Sequence, residues 1–192
     1  MQNNDNFLTI QQEMQWLEGR FNAILRWKPN QFIEHPPAML SPDPPTIEGV
    51  NTVYAQFIKQ NRLTVEDRLL LALAMVPHCQ LDLLARLRRI KKMHPLTGSF
   101  IKSASLDYWL PSGLTYTHLY AHLHETKAYQ GANFLHRQSV LINQGVVAIG
   151  AHLAGEPALS GVLALRHDYW LLLTENSTQL DLLNLQTTNS HA

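Results

Sequence analysis

The sequence predicts a mainly helical chain with one small β-hairpin near its end, an α+β fold. Apolar residues recur at three- and four-residue spacing in several segments, which is typical of helices that bury one face. Later in the chain, two apolar runs at 146–153 and 159–165 flank a Gly-Glu-Pro turn, which is typical of a hairpin. Six of the ten prolines lie between residues 29 and 45, where they separate an N-terminal arm from the main body.

These patterns divide the chain into four parts. We expect an amphipathic helix over 1–28, a Pro-rich connector over 29–49, a main domain over 50–175 and a flexible polar tail over 176–192. The connector cannot be helical, because proline removes a backbone donor and restricts the residue before it to extended geometry. The tail is rich in Asn, Gln, Ser and Thr, so we expect it to fray.

The N-terminal helix carries a single apolar stripe. Its members are spaced four and three residues apart and are Ile10, Met14, Leu17, Phe21 and Ile24. Such a stripe more often packs on the body of its own protein. The alternative is a partner-binding helix on a stiff Pro-rich tether, with Ile10, Met14, Leu17 and Phe21 as the contacts.

The main domain begins with two helices of different character. The first is predicted over 51–60, with Asn51 as its N-cap. In the second, Thr64 caps the free N–H groups, the run 69–76 is apolar all round, and Pro77 ends the helix. An all-apolar helix has no face for water, so we expect this one in the centre of the domain.

The remaining elements follow in a recognisable order. Helices are predicted over 80–90, 113–124 and 133–138, and the hairpin of 146–153 with 159–165 comes after them. Helices followed by a late two-stranded hairpin are the order of a winged-helix domain. We therefore expect a winged-helix-like main domain whose recognition helix is 113–124.

Composition excludes several classes of function. Fifteen basic and fifteen acidic side chains cancel, which argues against a uniformly cationic nucleic-acid binder and against an acidic solvating chain. Charged residues make up only 16% of the chain, which favours association with a protein partner or with further copies of the chain. The longest apolar run, 69–76, is too short to cross a membrane, and the N-terminus lacks a secretory pattern. We therefore expect a cytoplasmic protein that does not enter membranes.

No complete catalytic motif is present, so we expect a non-catalytic chain without a cofactor. A GxxxxGK[ST] phosphate loop, a GxGxxG turn and a GxSxG nucleophile elbow are all missing. Cys79 is the only cysteine, which excludes an internal disulfide and a cysteine-based zinc site. It follows His78, and the two could form a thiolate–imidazole pair, but a small buried cysteine is the commoner outcome beside an apolar helix.

Two histidines have the spacing of metal ligands. His118 and His122 lie at i and i+4 on a predicted helix, so their imidazoles could face one ion. The HExxH pattern is missing, and His124 points away from that face. A structural zinc site needs four ligands, so polar or half-buried histidines are the commoner alternative.

One segment concentrates positive charge, namely Arg86, Arg88, Arg89, Lys91 and Lys92. Residues 51–102 carry nine basic and three acidic side chains, whereas residues 1–50 and 103–192 each carry three basic and six acidic ones. The run predicts a site for nucleic-acid phosphate or for an acidic protein surface, with a solvated face as the alternative. The predicted recognition helix offers tyrosines and histidines but no Arg or Lys, which disfavours DNA reading.

Four segments of the main domain, taken together, resemble those of a known family. They are LTVEDRLLLALAMVPH at 63–78, LPSG at 110–113, LSGVLAL at 159–165 and YWLLL at 169–173. As an ordered set they resemble the winged-helix domain that precedes the AAA+ module in ATPases encoded with phage-tail-like contractile injection systems. The AAA+ module has no counterpart in this sequence. The resemblance implies an adaptor that docks on assembly components or on neighbouring subunits.

Three hypotheses for the function follow. The leading one is a non-catalytic protein-interaction module that acts with, or as part of, an AAA+ ATPase in assembling or remodelling a contractile tail-like particle. The alternative is a DNA-binding winged-helix regulator that uses the basic face of 86–92. The third is a metal-binding enzyme with its site at His118 and His122.

Overall fold

The computed structural model describes residues 2–26, 43–92, 94–105 and 107–174. Within these ranges the chain is mainly helical with two short antiparallel strand pairs, so the α+β prediction is confirmed. Helices α1 to α9 are, in order, Gln2–Arg26, Val53–Gln60, Val65–Cys79, Leu83–Ile90, Pro95–Gly98, Gly113–Leu123, Ala128–Arg137, Val140–Asn143 and His167–Thr174. Strands β1 to β4 are Ile101–Lys102, Trp109–Leu110, Val147–Ile149 and Leu163–Leu165. The predicted tail and residues 29–42 of the predicted connector lie outside the described residues.

Helix α1 belongs to the hydrophobic core. It packs on α2, α3, α4 and α6, and its apolar stripe faces inward. Leu17 and Phe21 are fully buried, and Ile10 and Met14 are 5% and 2% exposed. The stripe therefore packs on the main domain. Because all four side chains are core residues, they do not offer the partner-binding surface that was the alternative expectation.

Polar side chains of α1 hold it in place. Glu13 forms a buried ion pair with Arg68 of α3, whose guanidinium also donates to the carbonyl oxygen of Pro45 at 2.7 Å. Asn6 donates to the Leu173 carbonyl oxygen at 2.7 Å and accepts from the Tyr54 backbone N–H at 3.0 Å. These bonds fix α1 against α2, α3 and α9, because buried polar groups require partners.

Helix α3 is the centre of the domain, as its all-apolar run predicts. Every residue from Leu69 to Val76 is fully buried. Thr64 is the N-cap, and its Oγ1 accepts from the Asp67 backbone N–H at 3.3 Å, so this prediction is confirmed. The prediction that Pro77 ends the helix is wrong, because α3 continues to Cys79 and the Gln80 N–H still donates to Val76.

Other predicted boundaries also shift by a few residues. The N-cap of α2 is Thr52 rather than Asn51, since the Thr52 hydroxyl accepts from the Ala55 N–H. Helix α4 begins at Leu83 instead of 80. Helix α7 covers Ala128–Arg137 instead of 133–138, so it begins a full turn earlier than the sequence suggested.

Helices α6 and α7 form a tightly packed pair. Ser112 caps α6 through a capping box with Thr115, and residues 124–127 connect α6 to α7. A Cβ at Gly131 of α7 would lie 3.0 Å from the Cα of Thr117, so glycine permits the close approach of the two helices. Helix α7 packs on α6 and α8, while α6 also packs on α1, α3 and α5. Helix α7 is therefore the outer member of the pair.

The predicted hairpin is present but shorter than expected. Strand β3 pairs antiparallel with β4, with Val147 opposite Leu165, and residues 158–160 form a 3₁₀ turn instead of strand. An isolated antiparallel bridge joins Ser112 to Val162, which attaches the hairpin to the start of α6. The pair β1 and β2 was not predicted, because two-residue strands leave no periodic pattern.

Removing Glu13 tests the buried ion pair. Glu13→Ala leaves Arg68 charged and buried without its carboxylate, so we expect the free energy of unfolding to fall by about 3–5 kcal/mol. Denaturant unfolding followed by circular dichroism measures this loss. The control is Glu18→Ala, which removes the half-exposed partner of Arg86 and should cost about 1 kcal/mol or less. Equal losses for the two variants would contradict a special role for the buried pair.

The variant Gly161→Ala tests how closely the two chain segments beside β3 and β4 approach each other. A Cβ at this position would lie 1.9 Å from the carbonyl oxygen of Gly150, so the backbone must move to accept alanine. We expect Gly161→Ala to lower the free energy of unfolding by about 1–3 kcal/mol, measured by thermal unfolding. Gly98→Ala is the matched control, because nothing lies within 4 Å of its added Cβ. A stable Gly161→Ala protein would show that the strands are farther apart.

Candidate functional site

The basic run divides into paired and unpaired cations. Arg86 forms ion pairs with Glu18 of α1 at 3.0 Å and with Asp82 at 2.8 Å. Arg88 lies over the ring of Trp109, 4.0 Å from its centroid, and donates to the Thr97 carbonyl oxygen at 3.3 Å. These two arginines are therefore occupied within the protein.

The other three cations remain on the surface. Arg89, Lys91 and Lys92 are exposed, and no carboxylate within the described ranges pairs with them. Together with the exposed Ile90 between them, they form a surface that we call the basic edge. Unneutralised cations side by side favour an anionic partner.

The basic edge has a fixed backbone. Helix α4 ends at Ile90, so Lys91 and Lys92 lie in the following turn and not on the helix face that the sequence suggested. The Thr97 hydroxyl lies 2.8 Å from the Lys91 carbonyl oxygen and 2.9 Å from that of His94. Because Thr97 is fully buried, these contacts hold the turn against α5.

The histidines considered as metal ligands lie in different surroundings. His122 is 4% exposed, whereas His118 is half-buried, and burial lowers the pKa of His118. His124 forms a 2.9 Å contact with Glu66. In the part of the chain that the structure describes, no three His, Cys, Asp or Glu side chains are grouped to hold a metal ion. The structure thus brings no third ligand to His118 and His122.

An open cavity of about 450 Å³ lies between α1, the end of α3 and α9. Its walls are mainly apolar and include Met14 and Trp170, and Phe7 at its edge is 66% exposed. The rings of His78 and Trp170 stack with centroids 4.8 Å apart. The volume of the cavity is within the range of ligand pockets.

Cys79 lines this cavity as an unactivated thiol. Burial raises the pKa of Cys79 to about 11. Burial also lowers the pKa of the neighbouring His78, with a smaller contribution from His167. A nucleophilic pair requires a thiolate stabilised by an imidazolium. Both shifts in pKa disfavour the charged thiolate–imidazolium pair.

Helix α6 cannot be the helix that enters a DNA groove. Tyr116 is fully buried, Thr117 and His122 are buried, and Tyr120 packs against Phe134 with ring centroids 5.6 Å apart. The prediction that 113–124 is the recognition helix is therefore wrong, because α6 is enclosed between α7 and the rest of the domain.

The exposed surface of this helix pair lies on α7. Its outward side chains are Tyr129, Gln130, Asn133, His136 and Arg137. This face was not predicted, because the helix was expected to begin at residue 133. The signal that could have revealed it was the polar spacing of Gln130, Asn133 and Arg137 around the buried Phe134.

Two further findings concern the chain as a whole: the length of its apolar helices and its similarity to known proteins. Within the described ranges, no single helix is long and apolar enough to cross a membrane, and α3 with α4 reaches that length only as a pair bent by 104°. Comparison with known protein families, curated proteins and solved structures finds no significant match to this chain.

Cys79 provides a test of the cavity's chemistry. Because the thiolate is the reactive form, we expect iodoacetamide at pH 8 to alkylate the folded protein about a hundredfold or more slowly than the denatured chain. The folded rate should rise with pH up to about 11, where the thiol ionises. Mass spectrometry of quenched samples measures both rates. Rapid labelling of the folded protein at neutral pH would reveal an activated thiol.

Proposed function

We propose that this chain is a non-catalytic protein-interaction module of winged-helix-like architecture that docks an acidic protein surface on its basic edge. The observation that carries the proposal is the set of three exposed cations, Arg89, Lys91 and Lys92, which lack carboxylate partners among the described residues. Neighbouring Arg86 is already neutralised by Glu18 and Asp82. The chain thus satisfies part of its positive charge internally and leaves a defined remainder for a partner.

The surroundings of these cations favour a protein over a nucleic acid. Ile90 is 53% exposed in the middle of the basic edge. The neighbouring Arg88 covers the half-buried ring of Trp109. Interfaces between proteins combine an apolar centre with a polar rim and are enriched in aromatic residues and arginine. Phosphate alone would use the cations and leave Ile90 without a contact.

The partner class comes from the resemblance of segments 63–78, 110–113, 159–165 and 169–173. We propose that the module acts with, or as part of, an AAA+ ATPase in the cytoplasm, and that it assists assembly or remodelling of a contractile phage-tail-like particle. Helices followed by the β3–β4 hairpin support the winged-helix-like architecture in this proposal. An acidic surface on the ATPase or on a tail component is then the binding target.

Charge reversal on the basic edge tests the proposal. The test variant combines Arg89→Glu, Lys91→Glu and Lys92→Glu. Because like charges across an interface repel, we expect affinity purification from the native lysate to recover at least about tenfold less partner with this variant than with the unaltered protein. Quantitative mass spectrometry of the recovered ATPase and tail components measures the loss.

The control reverses three exposed cations elsewhere, namely Arg26, Lys59 and Arg62. It changes the net charge equally and should leave recovery within about twofold of the unaltered protein. Equal losses for both triple variants would indicate a general charge effect. Recovery of neither ATPase nor tail components by the unaltered protein would overturn the proposed partner class.

A further inference from the structure

We propose that the cavity between α1, the end of α3 and α9 binds an uncharged aromatic small molecule that carries a hydrogen-bond donor. The cavity lies on other elements than the basic edge, so the inference goes beyond the proposed function. It rests on the size of the cavity, on the aromatic rings in its walls, on the neutral character of its described lining residues and on one buried acceptor that lacks a donor.

The first support is the size and composition of the cavity. It has a volume of about 450 Å³ and is open to solvent. Ligand pockets measure about 300–1,000 Å³ and are mostly apolar, with a few polar groups that orient the ligand. The walls of this cavity have that composition, because Ile10 and Met14 of α1 are apolar whereas Gln11 and Thr174 supply polar atoms. A molecule of about two or three aromatic rings is therefore small enough to enter.

The second support is the set of aromatic rings. His78 and Trp170 stack with their centroids 4.8 Å apart and their planes at 19°. Phe7 lies at the edge of the cavity and leaves an apolar ring 66% exposed to water. Aromatic rings favour stacked or edge-to-face contacts with further rings, and the thioether of Met14 favours contact with a ring edge. These walls favour a flat aromatic ligand over an aliphatic chain.

The third support is the neutrality of the walls. Among the described residues, no Asp, Glu, Lys or Arg lines the cavity. Burial lowers the pKa of His78 and raises the pKa of Cys79 to about 11, so both side chains are mainly uncharged at neutral pH. A charged ligand would lose hydration in the cavity without meeting an opposite charge, which is costly. We therefore expect an uncharged ligand.

The fourth support is an acceptor without a donor. The Gln80 side chain belongs to the wall, and its buried Oε1 atom accepts no hydrogen bond from a described residue. The Gln80 backbone is satisfied, because its N–H donates to the Val76 carbonyl oxygen at 2.9 Å. A buried acceptor without a donor destabilises a protein. A ligand N–H or O–H that reaches Oε1 removes this cost, so a ligand with a donor binds more tightly than one without.

Two related dyes test the inference on the full chain. N-phenyl-1-naphthylamine is uncharged, carries one N–H and fluoresces strongly only in apolar surroundings. Anilinonaphthalene sulfonate has the same ring systems with an added negative charge. When the protein is titrated into a low, fixed concentration of the neutral dye, we expect a Kd of about 200 μM or lower, as is usual for a ligand of this size.

Alkylation of Cys79 shows where the dyes bind. Cys79 is the only cysteine of the chain and lies in the wall of the cavity. At alkaline pH, we expect saturating neutral dye to slow its alkylation by iodoacetamide about fivefold or more, because a bound molecule blocks access to the thiol. The sulfonate at the same concentration should leave the rate within about twofold, because its charge disfavours burial.

Two wall variants and a matched control complete the test. We expect Phe7→Ala and Gln80→Leu each to raise the Kd of the neutral dye about threefold or more, because the first removes a ring contact and the second the acceptor. The control is Leu8→Ala, which removes a neighbouring apolar side chain of α1 that is 48% exposed and does not line the cavity. It should leave the Kd within about twofold.

Several outcomes would overturn the inference. One is the absence of a fluorescence increase with the full chain, and another is binding that leaves Cys79 unprotected. An equal loss of affinity in Leu8→Ala would show that the dye binds exposed apolar surface in general. Binding only after deletion of residues 176–192 would make the chain's own tail the occupant of the cavity, and a dimer that excludes the dye would make it a second copy. Either result would replace the proposed ligand.

Discussion

The buried pair of Glu13 and Arg68 is the constraint on which the arrangement of helices depends. Burial raises the pKa of Glu13, and the Arg68 charge opposes that rise. Neither charged side chain could be buried without the other, since an unpaired buried charge is strongly destabilising. Helix α1 must therefore sit where its carboxylate meets α3. Trp16 strengthens this position, because the guanidinium carbons of Arg20 and Arg68 lie 5.2 and 5.8 Å from the centre of its ring.

The position of α1 in turn shapes the exposed surfaces. One end of the helix forms a wall of the apolar cavity through Phe7 and Met14. Farther along, Glu18 pairs with Arg86 and so removes one cation from the surface of α4. The basic edge consists of the exposed cations around the end of α4 that no carboxylate among the described residues reaches. The N-terminal helix is thus packed on the main domain, as the commoner of the two expectations had it, and its Glu18 pairs with an arginine next to the proposed docking site.

Features of this fold that follow from a local rule could be predicted from the sequence, whereas features that depend on packing between distant segments could not. The Thr64 cap and the fully apolar run before Pro77 follow from local chemistry, and both are present. Pro77 stays within its helix because the bond from Gln80 to Val76 continues the last turn. The start of α7 was missed because Tyr129 and Gln130 are exposed and leave no apolar pattern. Which basic side chains stay unpaired also depends on contacts between distant segments, such as Glu18 with Arg86.

A formal net charge of zero conceals how this chain uses its charges. Some opposed pairs cancel inside the fold or close along the chain, as Glu13 does with Arg68 and Asp168 with Arg166. Cancellation of this kind carries no information about partners. The cations of the basic edge have no such carboxylate partner among the described residues. The acidic side chains that offset their charge in the total lie elsewhere in the chain. Because exposed charges act mainly within about 10 Å, an approaching partner meets the local excess and not the total. The unpaired remainder, rather than the sum, is therefore the basis on which we propose the basic edge as a docking surface for an acidic partner.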